Sequence, residues 1–422
     1  MATSSPSGSA PGVAKAPFWG WRVVAAGAGA NLLAAALIQH AFTNYSVLLR
    51  EEFQWSTTML AAAFAMTRLE SGLLGPIQGW MLDRFGPKRV MTVGAVLFGV
   101  GLMLLSTLQN PVQFFAYYFI VAVGASLGGF ITVVTAVVGW FHRRRSFAVS
   151  VAQSGFALGG VFTPIVVFFM DRYGWRPTAF VSGVIGMIGI GACAQFMYRD
   201  PASVGQEVDG GPDLDDRDSA TLTTETINFT IRQAVRTRAF WMLNLGHSSA
   251  LLVVSATMAH LSIYLTEEQG FPLQRAGYLL GALLVVQFVG QLAGGRLGDL
   301  VNKQWLVMGA MVGHVAGMLV LTFASSPLIW LFVPLHGLAW GVRGPLMQAM
   351  RADYFGPKSF GTIMGWSSMI MMVGTMTGPL LVGYLRDQTD SYTRGFTVVT
   401  AMASVAIVFF ALASRPPRPV DA

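Results

Sequence analysis

From residue 20 almost to its end the chain alternates between long apolar runs and short polar interruptions. An apolar run of about 20 residues is long enough to cross a bilayer as a helix. Twelve such runs lie near 20–44, 57–82, 89–108, 112–140, 146–170, 176–197, 238–265, 275–299, 303–324, 327–350, 359–385 and 394–414. Only helices and closed barrels satisfy every backbone group in lipid, and the period-two alternation of a barrel strand is missing. The pattern predicts an all-α membrane protein with twelve transmembrane helices. One polar interruption is long: residues 200–236, with Asp209, Asp213, Asp215, Asp216 and Asp218, read as a flexible linker between two halves. Six-helix bundles then occupy 17–199 and 237–415. Residues 1–16, rich in Ser, Ala, Gly and Pro, read as a disordered cytoplasmic tail rather than a cleaved signal, and 416–422 as a second tail.

The two halves repeat one another. "GWMLD" (79–83) and "GGRLGD" (294–299) share G-x-x-x-D, with Gly79 facing Gly295 and Asp83 facing Asp299 at an offset of 216. At the same offset Glu51-Glu52 face Glu267-Glu268, and Ser46 faces Ser262. Ser146-Phe147 face Ser359-Phe360, and Pro164 faces Pro379, at nearly that offset. Several matches in order at one spacing point to pseudo-symmetric halves. That architecture suits alternating access, with a binding site between the halves near the midplane.

Composition agrees: 54% of residues are hydrophobic and 11% charged, where soluble domains carry about 25% charged. The net charge of +7 is a matter of topology, not a footprint for nucleic acid. Of 27 Lys and Arg residues, 19 fall on the side holding both termini, six on the other, and Arg68 and Arg343 lie within spans. The positive-inside rule therefore places both termini in the cytoplasm, and the chain in a plasma (inner) membrane. The one cysteine, Cys193, rules out an intrachain disulfide and a Cys metal cluster. No P-loop, metal-ligand cluster or nucleophile motif is present, so the sequence signals neither an enzyme, nor an ATP-driven pump, nor a bound cofactor.

The segment "GWMLDRFGPKRV", through Gly79, Asp83, Arg84, Gly86, Lys88 and Arg89, resembles the loop motif of the major facilitator superfamily. The resemblance implies a cytoplasmic lock between halves, in which the aspartate sits near the unsatisfied backbone N–H groups that start helix 11. Asp83 is the matching residue, and Asp299 its counterpart in the second copy. Within that superfamily, "FWGWRVV" (18–24) resembles the opening of monocarboxylate transporters and their oxalate/formate-exchanger relatives through Trp19, Gly20 and Trp21. "WFHRRRSFAVSVAQSGFALGG" (140–160) resembles their helix 4–5 signature through Phe141, Arg144, Arg145, Ala148, Gly155 and Gly159. The lysine such carriers keep in helix 1 is missing from residues 23–44. Gln287 and Gln291 stand where the family keeps an Asp and an Arg four apart in helix 8. Amides can hydrogen-bond a carboxylate but can neither neutralise it nor shuttle a proton.

Ionisable groups inside spans cost about 2.5–3.5 kcal/mol at a helix centre and should face a cavity or a partner. Arg343 shares a helix face with His336, Trp340 and Met347, a plausible lining for a small anion. Its planar fork suits a carboxylate. Three readings are open for it: anion contact, ion pair between helices, or snorkelling to an interface from about 10 Å inside the cytoplasmic end. Arg68 lies near the midplane and faces either the cavity or an acid on a neighbouring helix. Glu70 is a candidate proton carrier or a structural partner for an arginine. His40 with Asn44, and Asn244 with His247, form polar stripes on helices 1 and 7, which line the cavity in the resembling family. Gly155/Gly159 and Gly374/Gly378 read as close helix packing. The sequence predicts a secondary or facilitative transporter of a small organic anion, a monocarboxylate or short dicarboxylate, acting as a monomer with a coupled proton or exchanged anion. Efflux of drugs or hydrophobic metabolites is the alternative, and a non-transporting membrane receptor a third.

Overall fold

The structure, a computed structural model, describes residues 17–211 and 227–419. They form sixteen α-helices and no strand. In the first half these are α1 (Gly20–Ala34), α2 (Phe42–Phe53), α3 (Thr57–Leu73), α4 (Gly75–Phe85), α5 (Pro87–Leu105), α6 (Pro111–Gly128), α7 (Phe130–Trp140), α8 (Arg145–Tyr173) and α9 (Trp175–Gln195). The second half holds α10 (Ile231–Ala234), α11 (Arg238–Glu267), α12 (Leu273–Leu300), α13 (Lys303–Phe323), α14 (Phe332–Phe355), α15 (Phe360–Thr389) and α16 (Tyr392–Leu412). Three spans are broken helices. A π-helical turn, Ala35–Gln39, joins α1 to α2, Leu74 separates α3 from α4, and Gly129 separates α6 from α7. Together the helices make twelve crossings, six per half, and ten of these are long and apolar enough by themselves to span a membrane. The remaining two are the broken α3–α4 and α14, which carries two arginines.

Helix ends follow local chemistry. Ser56, Asn110, Thr237 and Asn302 each accept a backbone N–H from the first turn of the helix that follows, the role for which short oxygen-bearing side chains are preferred. Gly86, at φ +81°, adopts a backbone that L side chains rarely reach and turns the chain between α4 and α5. Where lipid offers no hydrophobic drive between helices, small residues let backbones approach. A Cβ on Gly155 would meet the Ala28 carbonyl of α1, and one on Gly374 the Ser248 carbonyl of α11. The close-packing expectation for these glycines is borne out.

The repeat is visible in the contacts. Asp83 at the end of α4 accepts backbone N–H from Gly361 at 3.0 Å and Thr362 at 2.7 Å, the first residues of α15. Asp299 at the end of α12 accepts from Ser146 at 2.8 Å and Phe147 at 3.0 Å, the first residues of α8. Each carboxylate thus caps a helix of the opposite half, where free N–H groups and the helix dipole favour negative charge. A third tie, Arg145 to Asp353, also crosses between the halves. All three lie at the end of the molecule that carries the basic loops, which is called here the basic end. At the far end each half is tied within itself. Glu52 binds Trp175 Nε1 at 2.6 Å and Arg176 at 2.7 Å, and Glu268 binds the Tyr392 N–H at 2.6 Å.

Two sequence expectations change. The described flanks of the central segment are folded against the bundles: Gln206 accepts the Trp19 N–H, Asp209 accepts the N–H groups of His142 and Arg143, and the Phe229 N–H reaches the Phe355 carbonyl. Residues 212–226 of that linker, the 1–16 tail and residues 420–422 lie outside the described residues. The tenth span ends at Phe355 rather than near 350, because no breaker stands between Met350 and Gly356. Arg351, counted above as a loop charge, is therefore inside a helix. Arg343 stands twelve residues before the helix end, or about 18 Å at 1.5 Å per residue, near the midplane.

Candidate functional site

The chemistry gathers on α14. Arg343 is 1% exposed, and its Nε and Nη1 have no hydrogen-bond partner. None of the described ion pairs includes it. The geometry therefore excludes snorkelling and shows no ion pair. An unpaired guanidinium in a dry interior costs several kcal/mol, a deficit that a bound anion would offset. His336, two turns away on the same helix, points its Nδ1 at Nδ1 of His314 on α13, 3.2 Å away, and Phe332 stacks on it at 4.9 Å. One ring must donate and the other accept, so this pair occupies one of the two ring nitrogens of His336. Trp340 is half-buried on the same helix.

Arg351 is the residue that sequence reasoning missed. It is 0% exposed and donates to Asn244 Oδ1 at 2.9 Å, His247 Nδ1 at 3.0 Å, Gln348 Oε1 at 3.1 Å and the Met347 carbonyl at 3.3 Å. Asn244 and His247 on α11, a predicted stripe, thus meet α14 through a second arginine. Their spacing carried half of the signal. The other half was the 343–347–351 register of α14, four residues per step, which keeps a helical face.

The first half contributes two separate groups. Glu70 on α3 is buried at 5% exposure; its Oε2 accepts from Ser71 at 3.1 Å and Ser126 of α6 at 2.9 Å, while Oε1 has no partner. Arg68 is exposed and lies in electrostatic reach of the Tyr118 phenol. At the far end, His40 and Asn44 line an open cavity of about 420 Å³ with Gly160, Thr163, Pro164 and Val167. The His40 Nε2 lies 3.1 Å from the Phe156 carbonyl. His40 and Asn44 are thereby brought together, but apart from α14. Gln291 donates to the Ser150 carbonyl of the other half at 2.9 Å and accepts from Gln287 at 3.1 Å. Gln291, backed by Gln287, thus ties α12 to α8 of the other half.

The loop residues sit at the basic end. A Cβ on Gly79 would strike the Gly361 backbone, which lets α4 press on α15 and brings Asp83 within reach of its N–H groups. Arg84 lies over the Trp80 ring at 5.6 Å and Lys88 over the Tyr198 ring at 5.3 Å, while Arg89 is exposed. No group of three or more His, Cys, Asp or Glu suited to a metal occurs among the described residues.

Comparison with known proteins places this geometry in context. The family model of the Major Facilitator Superfamily matches residues 24–286 and 243–422. The chain is 27% identical over 381 residues to the "Probable sulfoacetate transporter SauU" of Cupriavidus necator, covering 85% of each chain. It is 22% identical to "Monocarboxylate transporter 13" of Bos taurus, covering 96% of this chain and 93% of that one. The crystal structure of the human organic anion transporter MFSD10 has the same fold, with a TM-score of 0.70 at 15% identity, covering 93% of this chain and 99% of that one.

Proposed function

Because the chain belongs to the Major Facilitator Superfamily, we propose that it carries a small organic anion, a monocarboxylate or short dicarboxylate, across the membrane by alternating access. The observation that carries this reading is Arg343: a midplane cation, fully buried, with two nitrogens unpartnered and no ion pair among the described residues. Relatives named for sulfoacetate and monocarboxylate transport support the substrate class. The basic end faces the cytoplasm, by the distribution of Lys and Arg. With the aspartate clasps closed there, the site is approached from the far end, past His40 and Asn44. The substrate contacts lie within one chain, so a monomer suffices.

Coupling falls to Glu70. A carboxyl in lipid-level surroundings with one oxygen unpartnered can take a proton without breaking a salt bridge, and Ser71 and Ser126 hold it in place. The test uses the full chain in liposomes, with a radiolabelled carboxylate and saturable counterflow as readouts. Uptake should rise when the side facing the far end is made acidic. Glu70→Gln should abolish that pH response while leaving counterflow within about threefold, since exchange needs no net proton movement. Uptake in the wild type that ignores the pH gradient would leave exchange as the mode; failure of counterflow by any carboxylate would sink the transport reading.

A further inference from the structure

Charge balance on α14 narrows the substrate. Arg343 and Arg351 stand eight residues apart on one helix, about 12 Å along its axis. Both side chains are buried, at 1% and 0% exposure. All partners of Arg351 are neutral: Asn244, Gln348, the Met347 carbonyl, the Met371 thioether and an accepting His247 nitrogen. The acid nearest in sequence, Asp353, is engaged by Arg145 and by Lys303 at 2.9 Å. The interior of the C-terminal half thus holds two full positive charges against which the described residues set no negative one. A monoanion at Arg343 leaves one of them uncompensated.

We infer that the transported anion is a small two-headed acid with two negative charges at neutral pH. One carboxylate meets Arg343, and the second acidic group, a carboxylate or sulfonate, is directed toward Arg351. This rests on the reading of Arg343 as the anion contact. The spacing suits such a molecule. Each charge-assisted hydrogen bond spans about 2.7–2.9 Å, so a chain of two to four carbons between acid groups bridges most of the remaining distance. Direct contact is not required for selectivity. At about 12 Å and an effective dielectric of about 20, the charge of Arg351 alone favours a second negative charge roughly tenfold.

The experiment compares length-matched pairs, butyrate against succinate and valerate against glutarate, by competition with radiolabelled succinate on full-length protein at pH 7.5 and constant ionic strength. Each dianion should bind at least about tenfold tighter than its monoanion. Arg351→Gln should erase that preference, weakening the dianion by more than the monoanion, which feels Arg351 from about 12 Å and loses up to about tenfold, and Arg351→Lys, which keeps the charge, should retain it. Should R351Q fail to fold, the wild-type pairs and R351K decide the matter. Monoanions binding as tightly as dianions, or R351Q weakening both alike, would overturn the assignment and leave Arg343 untouched. If none of the four acids binds the wild type, the anion-site reading falls first and this inference with it.

Discussion

Replacing Arg343 by glutamine should lower transport of the anion, measured as Vmax/KM in liposomes, by about 30-fold to 5,000-fold. That range corresponds to the roughly 2–5 kcal/mol lost when one partner of a buried, hydrogen-bonded charge pair is truncated. Arg343→Lys should fall between, because the ammonium keeps the charge but not the planar fork. Stability should move the other way. Arg343 makes no ion pair and leaves two nitrogens unpartnered, so the glutamine removes a desolvation cost and the Tm of the ligand-free variant should hold or rise. A structural ion pair predicts the reverse, a drop in Tm. Retained affinity for the anion in a well-folded R343Q would eliminate the assigned role.

Removing both aspartate clasps should have the second largest effect, on conformation rather than on binding. Each of Asp83 and Asp299 accepts two backbone N–H groups at a helix start of the opposite half. Taken as one capping unit, each clasp contributes about 1.5–3 kcal/mol, the range of a single hydrogen bond to a charged group. The two sites share no partner, so their losses should add. Asp83→Ala with Asp299→Ala should therefore shift the balance between closed and open basic ends by about 10²-fold to 10⁴-fold. Spin labels replacing Arg144 and Lys358, both exposed and on opposite halves, would read this in a chain whose single cysteine, Cys193, is first changed to serine. The label separation should lengthen in the double variant and change little in either single one. An unchanged distance distribution in the double variant would show that other contacts, such as Arg145 with Asp353, close this end unaided.

Much of this was legible in the chain, for identifiable reasons. The repeat offset of 216 pairs Asp83 with Asp299, and their targets Gly361-Thr362 and Ser146-Phe147 stand 215 apart, two residues off the 213 at which the sequence matches Ser146-Phe147 to Ser359-Phe360. A duplicated fold keeps both members of a contact in near register, so the repeat carried over to Asp299 the clasp that the family resemblance implies for Asp83. Arg343 was legible because a cation in the middle of an apolar run has no topological explanation. Arg351 was not. Eight residues nearer the basic loops, it fits the charge asymmetry equally well as a loop residue, and hydropathy cannot tell a buried guanidinium near a helix end from a solvated one. His314 was hidden for a related reason. A lone imidazole in an apolar helix signals nothing until a second one on a neighbouring helix is known to face it. Gln287 and Gln291 stand where the resembling family keeps a charged pair, but one amide is turned across the interface to Ser150, an orientation that depends on how closely α8 and α12 approach.

The far-end carboxylates bear on mechanics. Glu52 fastens the close of the first crossing to Trp175 and Arg176 at the start of the sixth, and Glu268 does the same for the seventh and twelfth through Tyr392. A bundle laced at its rim resists splaying and transmits torque along its length. The 29-residue α8 and 30-residue α15 then act as lever arms, held at one end by a carboxylate of the opposite half. Strain introduced at the proposed site on α14 would reach those clasps instead of being absorbed as fraying of individual helices. With an anion bound there as proposed, stiffness at the remote rim is what would let that contact be felt at the door.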